Sequence, residues 1–427
     1  MLTKEKNDLL TQTGPGTPMG DLFRCYWQPA LLAEELPEPD CPPVRVQLLS
    51  ERLIAFRDSD GRLGLLDEFC AHRRVSLWFG RNEESGLRCP YHGWKYDVDG
   101  NCVEVPSEEN PKFCEQIKLT AYPLVEKGGV LWTYMGDPER KPPLPEYEFC
   151  SVGPAQRFIS KRLQECNWLQ AMEGGIDSSH VSFLHSANLE SDPLFAGSKG
   201  NQYNFGDLRP VFEVVDSPGG LYVGARRNAE DDQYYWRITQ WLMPAFTMIA
   251  PRADHPVHGH FWVPIDDENC WAWSFDYKPL RDLTEAERSA MEAGDGIHCE
   301  YVPGTFIPKA NKSNDYLMDR DAQKAGTTYS GIRGIAIQDA SLQESMGPIC
   351  DRTREKLAPT DRGIMLARRK MLKALEELRD HGTIPNGVDP EMHKVRSAAF
   401  LLPRDQVYAE AAGEHLRVVP GKPHASV

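Results

Sequence analysis

Two short cysteine–histidine pairs constrain this chain more than any other feature. Cys70-Ala71-His72 is answered by Cys89-Pro90-Tyr91-His92-Gly93-Trp94. Each pair sits next to a strand-like segment, so each falls on a loop. Two facing loops can bring two thiolates and two imidazoles together. Two metal chemistries fit that donor set. One is a two-iron, two-sulfide centre with the cysteines on one iron and the histidines on the other. The other is a single structural zinc ion.

The residues around the pairs read as short strands. Val44, Val46 and Leu48 alternate with Arg45 and Gln47. Segments 53–57 and 62–66 flank Asp58-Ser59-Asp60-Gly61, and segments 94–97 and 102–105 flank a stretch containing Asp99-Gly100. Both are hairpin signals. Val130–Tyr134 reads as another strand, and prolines between 138 and 145 suggest a boundary. Beyond it, 167–185 reads as a helix with a glycine break. Residues 210–275 hold aromatic-rich strands such as Gln233–Leu242 and 259–263. The clearest helix is 360–381: Thr360 can cap it, Ile364, Met371, Leu375 and Leu378 recur on one face, and Gly382 can end it. The expected fold class is therefore α+β. An all-β domain with an N-terminal extension (1–150) precedes an α+β domain (151–427) with a central antiparallel sheet flanked by helices.

Composition narrows the function. Lys and Arg number 48 against 63 Asp and Glu, a formal charge of −15 that argues against nucleic acid as a partner. No apolar run is long enough to span a membrane, and the charged start Met1-Leu2-Thr3-Lys4-Glu5-Lys6 is not a secretory signal, so a cytoplasmic location is expected. Eleven scattered cysteines make a poor disulfide framework. Those outside the two pairs are expected to pack as small apolar residues. Gly14, Gly16 and Gly20 lack the spacing and the preceding strand of a phosphate loop and read as a turn.

A second constellation, Asp-x-x-His-x-x-x-x-His, holds Asp177, His180 and His185. Asp177 and His180 are one helical turn apart, and His185 converges on them if the helix bends. Two histidines with one carboxylate and open positions hold ferrous iron that activates dioxygen. His255, His258 and His260 also cluster, and read as packing residues rather than a third metal site.

The run Cys89-Pro90-Tyr91-His92-Gly93-Trp94 resembles the signature of Rieske proteins. The stretches Asn7-Asp8-Leu9-Leu10, Gly14-Pro15-Gly16-Thr17-Pro18-Met19-Gly20 and Tyr26-Trp27-Gln28-Pro29, with 173–185, resemble the phthalate-dioxygenase-like branch of the Rieske non-haem iron aromatic ring-hydroxylating oxygenases, in their oxygenase component. The resemblance implies a Rieske [2Fe–2S] cluster on Cys70, His72, Cys89 and His92, and a mononuclear Fe(II) on His180, His185 and a carboxylate from a downstream helix. Asp339 is the best match for that carboxylate, with Glu344 and Asp351 as fallbacks. Asp177 becomes the catalytic acid that bridges a metal-ligating histidine of its own chain to a cluster histidine of a neighbouring subunit.

The resemblance also implies a homotrimer or hexamer with no separate β subunit. It implies an NAD(P)H-dependent reductase, with or without a ferredoxin, because this chain carries no dinucleotide fingerprint and no four-cysteine ferredoxin motif. The implied substrates are dioxygen and an aromatic acid. The implied outcome is ring dihydroxylation or O-demethylation of a methoxylated, lignin-derived acid. An acid needs a cationic anchor. Of Arg209, Arg226, Arg227, Arg237 and Arg252, the preferred pair is Arg209 and Arg237, each isolated among apolar neighbours, against the plain alternative of strand-surface arginines. A pure electron-transfer Rieske protein would end soon after the cluster domain and lack Asp177, His180 and His185. A zinc-stabilised binding protein would be colourless where a Rieske protein is red-brown.

Overall fold

A computed structural model describes residues 2–427, so Met1 lies outside the described residues. The chain forms two compact units, Thr13–Pro142 and Pro143–Val427, the latter joined by the N-terminal segment up to Gln12. The division falls inside the proline-rich stretch rather than at residue 150. The helix Lys4–Thr11 belongs to the second unit because hydrogen bonds tie it there. Asn7 Nδ2 donates to the Cys350 carbonyl at 3.1 Å, and Asn167 Nδ2 donates to the Thr11 carbonyl at 2.9 Å.

Thr13–Pro142 contains three small antiparallel sheets. The two expected hairpins are present: Glu51–Arg57 pairs with Leu63–Asp67, and Lys95–Tyr96 pairs with Cys102–Glu104. Their turns use Gly61 and Gly100, both at φ 80°, a conformation that costs glycine nothing. Ile54, Phe56, Leu66, Leu77, Leu87, Trp94 and Tyr96 form one core, and Cys70 and Cys89 sit within it.

The second unit is built on an eight-stranded antiparallel sheet. Across it run Arg157–Gln164, Cys270–Tyr277, Val257–Pro264, Phe246–Met248, Gln233–Leu242, Gly220–Asn228 and Val211–Asp216, with Ala398–Pro403 also paired to Gln233–Leu242. Alternation gives the sheet two unlike faces. One carries Phe246, Phe261 and Phe275, packed with Tyr147 and Phe149 at centroid distances of 4.4–5.7 Å for neighbouring rings such as Phe149–Phe275 and Phe246–Phe275. The other carries polar side chains in register: Ser160, Ser274, His260 and Thr247 form one row, and Arg162 shares the next with Ala272 and Trp262.

The helices Trp168–Ile176 and Ile335–Ser345 lie against the polar face. The expected helix over 167–185 stops at Ile176, and its glycines serve close approach rather than a break. A Cβ on Gly175 would lie 2.3 Å from the Trp262 ring, and one on Gly174 would lie 2.2 Å from Gln343 Nε2. The long C-terminal helix is Arg362–His381. Thr360 does not cap it: Pro359–Asp361 forms a 3-10 turn, closed by the Asp361 carboxylate accepting from the Ala358 N–H at 2.6 Å. Gly382, at φ 63°, ends the helix as expected.

A buried ion pair closes the second unit. Glu148 accepts from Arg396 at 2.5 and 2.9 Å and from Tyr277 Oη at 3.0 Å, with 8% and 3% of the two charged side chains exposed. Burial raises the Glu148 carboxyl, but hydrogen bonds from His424 and Arg396 outweigh it and bring it to about 2. A depressed carboxyl stabilises the fold above its unfolded value near 4.5 and loses that contribution as pH falls towards 2. Glu148→Gln strands a buried guanidinium and is expected to cost about 3–5 kcal/mol in a denaturant titration at pH 7. The gap between wild type and variant should narrow between pH 4.5 and 2.

Candidate active site

The loops 70–75 and 89–94 are structural copies of one another. In each, the cysteine N–H donates across the loop: Cys70 to Val75 at 2.9 Å, Cys89 to Trp94 at 2.8 Å. In each, a later N–H returns to the cysteine carbonyl: Arg74 to Cys70 at 2.9 Å, Gly93 to Cys89 at 3.0 Å. The returning residue has positive φ both times, 59° at Arg74 and 78° at Gly93. Position 93 also excludes a side chain, because a Cβ would lie 2.9 Å from Pro106 Cγ.

These loops set the four ligands in two pairs. The Cys70 and Cys89 thiols hydrogen-bond one another, and the His72 and His92 rings meet at a centroid distance of 4.4 Å. A single tetrahedral zinc would gather all four donor atoms within about 3.3–3.8 Å of one another. Among the described residues, the group with three donor atoms within 4.8 Å is elsewhere, at His180, His185 and Asp339. Separate thiolate and imidazole pairs are what a two-iron centre requires. The sulfurs have donors of their own. Cys89 accepts from the N–H groups of Tyr91 and His92. Tyr96 Oη accepts from the Ala71 N–H at 3.1 Å and lies 3.2 Å from Cys70 Sγ, where its hydroxyl can donate to a metal-bound thiolate. His72 stacks on Trp94 at 4.6 Å, and both histidines face solvent.

In the second unit, His180 Nε2, His185 Nε2 and Asp339 Oδ1 converge at 3.2, 3.6 and 3.3 Å from one another. Three ligands about 2.1 Å from one ion on one side of it lie roughly 3.0–3.4 Å apart, so the set fits one metal with positions left open. The far nitrogen of each ring is held. His180 Nδ1 lies 3.3 Å from Asp177 Oδ2, and His185 Nδ1 lies 2.7 Å from Gln338 Oε1. Gln338 Nε2 donates to the Ile332 carbonyl at 2.9 Å, which fixes the amide with its oxygen towards His185. Both Nδ1 atoms therefore carry the proton, and both Nε2 lone pairs face the metal position.

The Asp177–His180 contact arises differently from the expected helical turn. Asp177 is extended (φ −91°, ψ 110°) and caps the helix Trp168–Ile176. Its carboxylate accepts from the Ser179 N–H at 2.7 Å, a local turn that competes with continued helix. Burial raises the Asp177 carboxyl, but the His180 hydrogen bond outweighs it and keeps it ionised. Arg227 then pins the loop to the sheet through the Ser178 carbonyl at 2.9 Å and Ser182 Oγ at 3.2 Å.

Around the metal position lies a cavity lined by Arg162, Arg237, Arg252, His258, His260 and Trp262, among others. Each of these three arginines is 4% exposed, and the Nε of each has no hydrogen-bond partner among the described residues. Burial lowers Arg252 to about 9 and lowers Arg237 as well. It also holds His260 at about 3 and His258 well below the usual imidazole range, so both are neutral.

Of the expected anchors, Arg237 lines the cavity. Arg209 does not: it is exposed on the segment between the helix Lys199–Gly206 and the strand Val211–Asp216. The flanking prediction rested on apolar neighbours in a strand, and Arg209 is outside the strand. Arg226 pairs with Glu213. His258 and His260 line the cavity rather than merely packing, and join no metal group. The fallback ligands are committed elsewhere: Glu344 accepts from Tyr316 Oη and the Glu165 N–H, and Asp351 accepts from Thr353. Sequence reasoning missed Arg162 and Gln338. Gln338 had a signal, since Gln338-Asp339 is a polar pair inside the run Ile335-Ala336-Ile337 and Ala340.

Gln338→Leu removes the acceptor behind His185 and should weaken iron retention about 10–100-fold. Iron kept after dialysis against graded chelator measures this. The red-brown cluster absorbance should be unchanged, and Gln338→Glu, which keeps the acceptor, should recover most of the loss.

The chain matches two family descriptions: "Rieske [2Fe-2S] domain" over residues 26–123 and "LigXa C-terminal domain like" over residues 133–409. It is 39% identical to the 3-chlorobenzoate-3,4-dioxygenase oxygenase subunit of Comamonas testosteroni, covering 94% of this chain and 96% of the relative. It is 39% identical to the phthalate 4,5-dioxygenase oxygenase subunit of Pseudomonas putida (88% and 86% covered). It is 33% identical to the 5,5'-dehydrodivanillate O-demethylase oxygenase subunit of Sphingobium sp. (92% and 85%). The crystal structure of dicamba monooxygenase bound to dicamba shares the fold, with a TM-score of 0.59 at 20% identity over 84% of this chain and 98% of that one. With paired cluster ligands in one unit and a two-histidine, one-carboxylate set in the other, this chain belongs to the Rieske non-haem iron oxygenases, as an oxygenase subunit of the phthalate-dioxygenase-like branch.

Proposed function

We propose that this chain oxidises a carboxylated aromatic compound with dioxygen, using electrons from a separate NAD(P)H-dependent reductase. The observation that carries the reading is the convergence of His180, His185 and Asp339 on the wall of a cavity lined by buried guanidiniums. In it, Cys70, His72, Cys89 and His92 hold the Rieske cluster, and His180, His185 and Asp339 hold the iron. When bound, the cluster supplies single electrons and the iron activates dioxygen.

The chain's own residues do the rest. Asp177 and Gln338 hold the ring protons on Nδ1 and turn both Nε2 atoms towards the metal position. Arg237 offers N–H donors to the substrate carboxylate, a charge-assisted interaction strengthened by burial. Phe195 and Trp262 give the ring apolar walls and exclude water. The outcome is ring dihydroxylation or, on a methoxylated ring, O-demethylation. The two kinds of chemistry named among the relatives support this pair.

The reading includes a homo-oligomer, a trimer or hexamer in the cytoplasm, where His72 and His92 of one copy approach Asp177 of the next. Two features support it. Both cluster histidines are exposed. The Asp177 and His180 side chains are 23% exposed, and His180 opens onto a groove lined by Phe183, Tyr329 and Leu342. Among the described residues, no helix is long and apolar enough to cross a membrane.

Turnover of a panel of halobenzoates, phthalates and methoxylated aromatic acids with a reductase tests the reading. Diol products or formaldehyde, in step with oxygen uptake, are expected; reductase-driven reduction of the cluster with no oxidised aromatic from any acid would contradict it. Asp177→Asn should leave the cluster spectrum intact and lower turnover at least about 100-fold. Full activity in that variant would remove Asp177 from the electron path.

A further inference from the structure

The cavity holds more positive charge than one carboxylate needs, and it holds that charge at two ends. Arg162 projects from Arg157–Gln164 and Arg237 from Gln233–Leu242. Three strands lie between them: Cys270–Tyr277, Val257–Pro264 and Phe246–Met248. At about 4.8 Å per strand, their backbones stand roughly 19 Å apart along the sheet. His180, His185 and Asp339 line the same cavity, and His260 stands on the strand Val257–Pro264, between the two strands that carry the arginines.

Two carboxylates offset only part of this charge. The ionised groups lining the cavity are three guanidiniums and, with a divalent ion bound, two further positive charges, against the carboxylates of Asp177 and Asp339. Asp192 behind Arg252 and Glu344 near Arg162 lie outside the lining, and burial shifts both towards their neutral forms. Arg162 donates to the neutral Gln164 side chain at 3.3 Å, and Arg237 donates to Ser178 Oγ at 3.0 Å. Arg252 lies 4.7 Å over the Phe195 ring. All three keep an unpaired Nε facing a desolvated space, and an unsatisfied buried donor is costly unless a ligand satisfies it. Between the two ends the walls are apolar: Val181, Trp262, Ile297 and Ile335.

We propose that the substrate is an aromatic dianion whose two acidic groups sit at opposite ends, one taken by Arg162 and the other by Arg237 with Arg252, so that the ring lies across His180, His185 and Asp339. This rests on the aromatic-acid reading above and narrows it. A monoacid satisfies one end only, and an ortho diacid places both charges at the same end.

Calorimetric titration of the anaerobic holoenzyme with benzoate, benzene-1,2-dicarboxylate, benzene-1,4-dicarboxylate and biphenyl-4,4′-dicarboxylate tests it. One of the two end-to-end diacids is expected to bind at least tenfold tighter than benzoate and the ortho diacid. Arg162→Met should collapse that ratio to within threefold, and Arg162→Lys should restore part of it, with the cluster spectrum as the check on folding. Benzoate or the ortho diacid binding as tightly as both end-to-end diacids in the unmodified enzyme overturns the proposal and leaves the aromatic-acid reading standing. So does a preference that survives Arg162→Met. Absence of binding by all four acids overturns both.

Discussion

An imidazole binds a metal through one nitrogen only if its proton is kept on the other. The oxygenase site depends on meeting that condition twice, 3.2 Å apart, in a half-buried place. Asp177 meets it for His180 and Gln338 meets it for His185, and the two solutions differ in kind. Asp177 is a charged acceptor, 23% exposed, at the end of a helix. Gln338 is neutral, fully buried and oriented by a backbone carbonyl. The charged partner belongs to His180, with 23% of its side chain exposed. The neutral partner belongs to the sealed His185. The same division of labour, in which partners behind the ligands set what the ligands can do, recurs at the cluster, where Tyr96 and two backbone N–H groups serve the sulfurs.

The rest of the second unit exists to hold that pair against a polar surface. A sheet buried on both sides usually carries hydrophobic residues on both. This one stacks Phe246, Phe261 and Phe275 on one face and sets Arg162, His260, Thr247 and Arg237 among Trp262 and Ala272 on the other. Two glycines let a helix close over that polar face. Gly174 and Gly175 let the helix Trp168–Ile176 sit against Trp262 and Gln343 at a distance no side chain allows. That brings Asp177 and His180 within reach of Asp339 on the helix Ile335–Ser345. Arg227, buried among the loop's own hydrogen-bond acceptors, locks the arrangement.

Much of this was legible in the sequence because metal ligands are short-range patterns. The cluster pairs, the histidines and the hairpin turns at Gly61 and Gly100 are local, and strands such as Val130–Tyr134 and Gln233–Leu242 appear with the expected bounds. Asp339 was legible through family resemblance, and only the fold brings it to the histidines. What could not be read locally depended on strand register. Arg162 faces the cavity because it shares a row with Trp262 and Ala272, a pairing that no window around residue 162 contains. Arg209 was misplaced because its apolar neighbours resembled a strand that in fact begins at Val211. The helix over 167–185 ended early because the Asp177 carboxylate prefers the Ser179 N–H to a further turn.

Two separate iron sites in one polypeptide are the central claim, and metal stoichiometry tests it most directly. Purified, fully loaded protein should contain three irons and two acid-labile sulfides per chain. The His180→Ala/His185→Ala double variant should contain two irons and the same two sulfides, with an unchanged cluster spectrum. Zinc in place of iron at the cysteine–histidine pairs, or loss of the sulfides together with the third iron in the double variant, would contradict it.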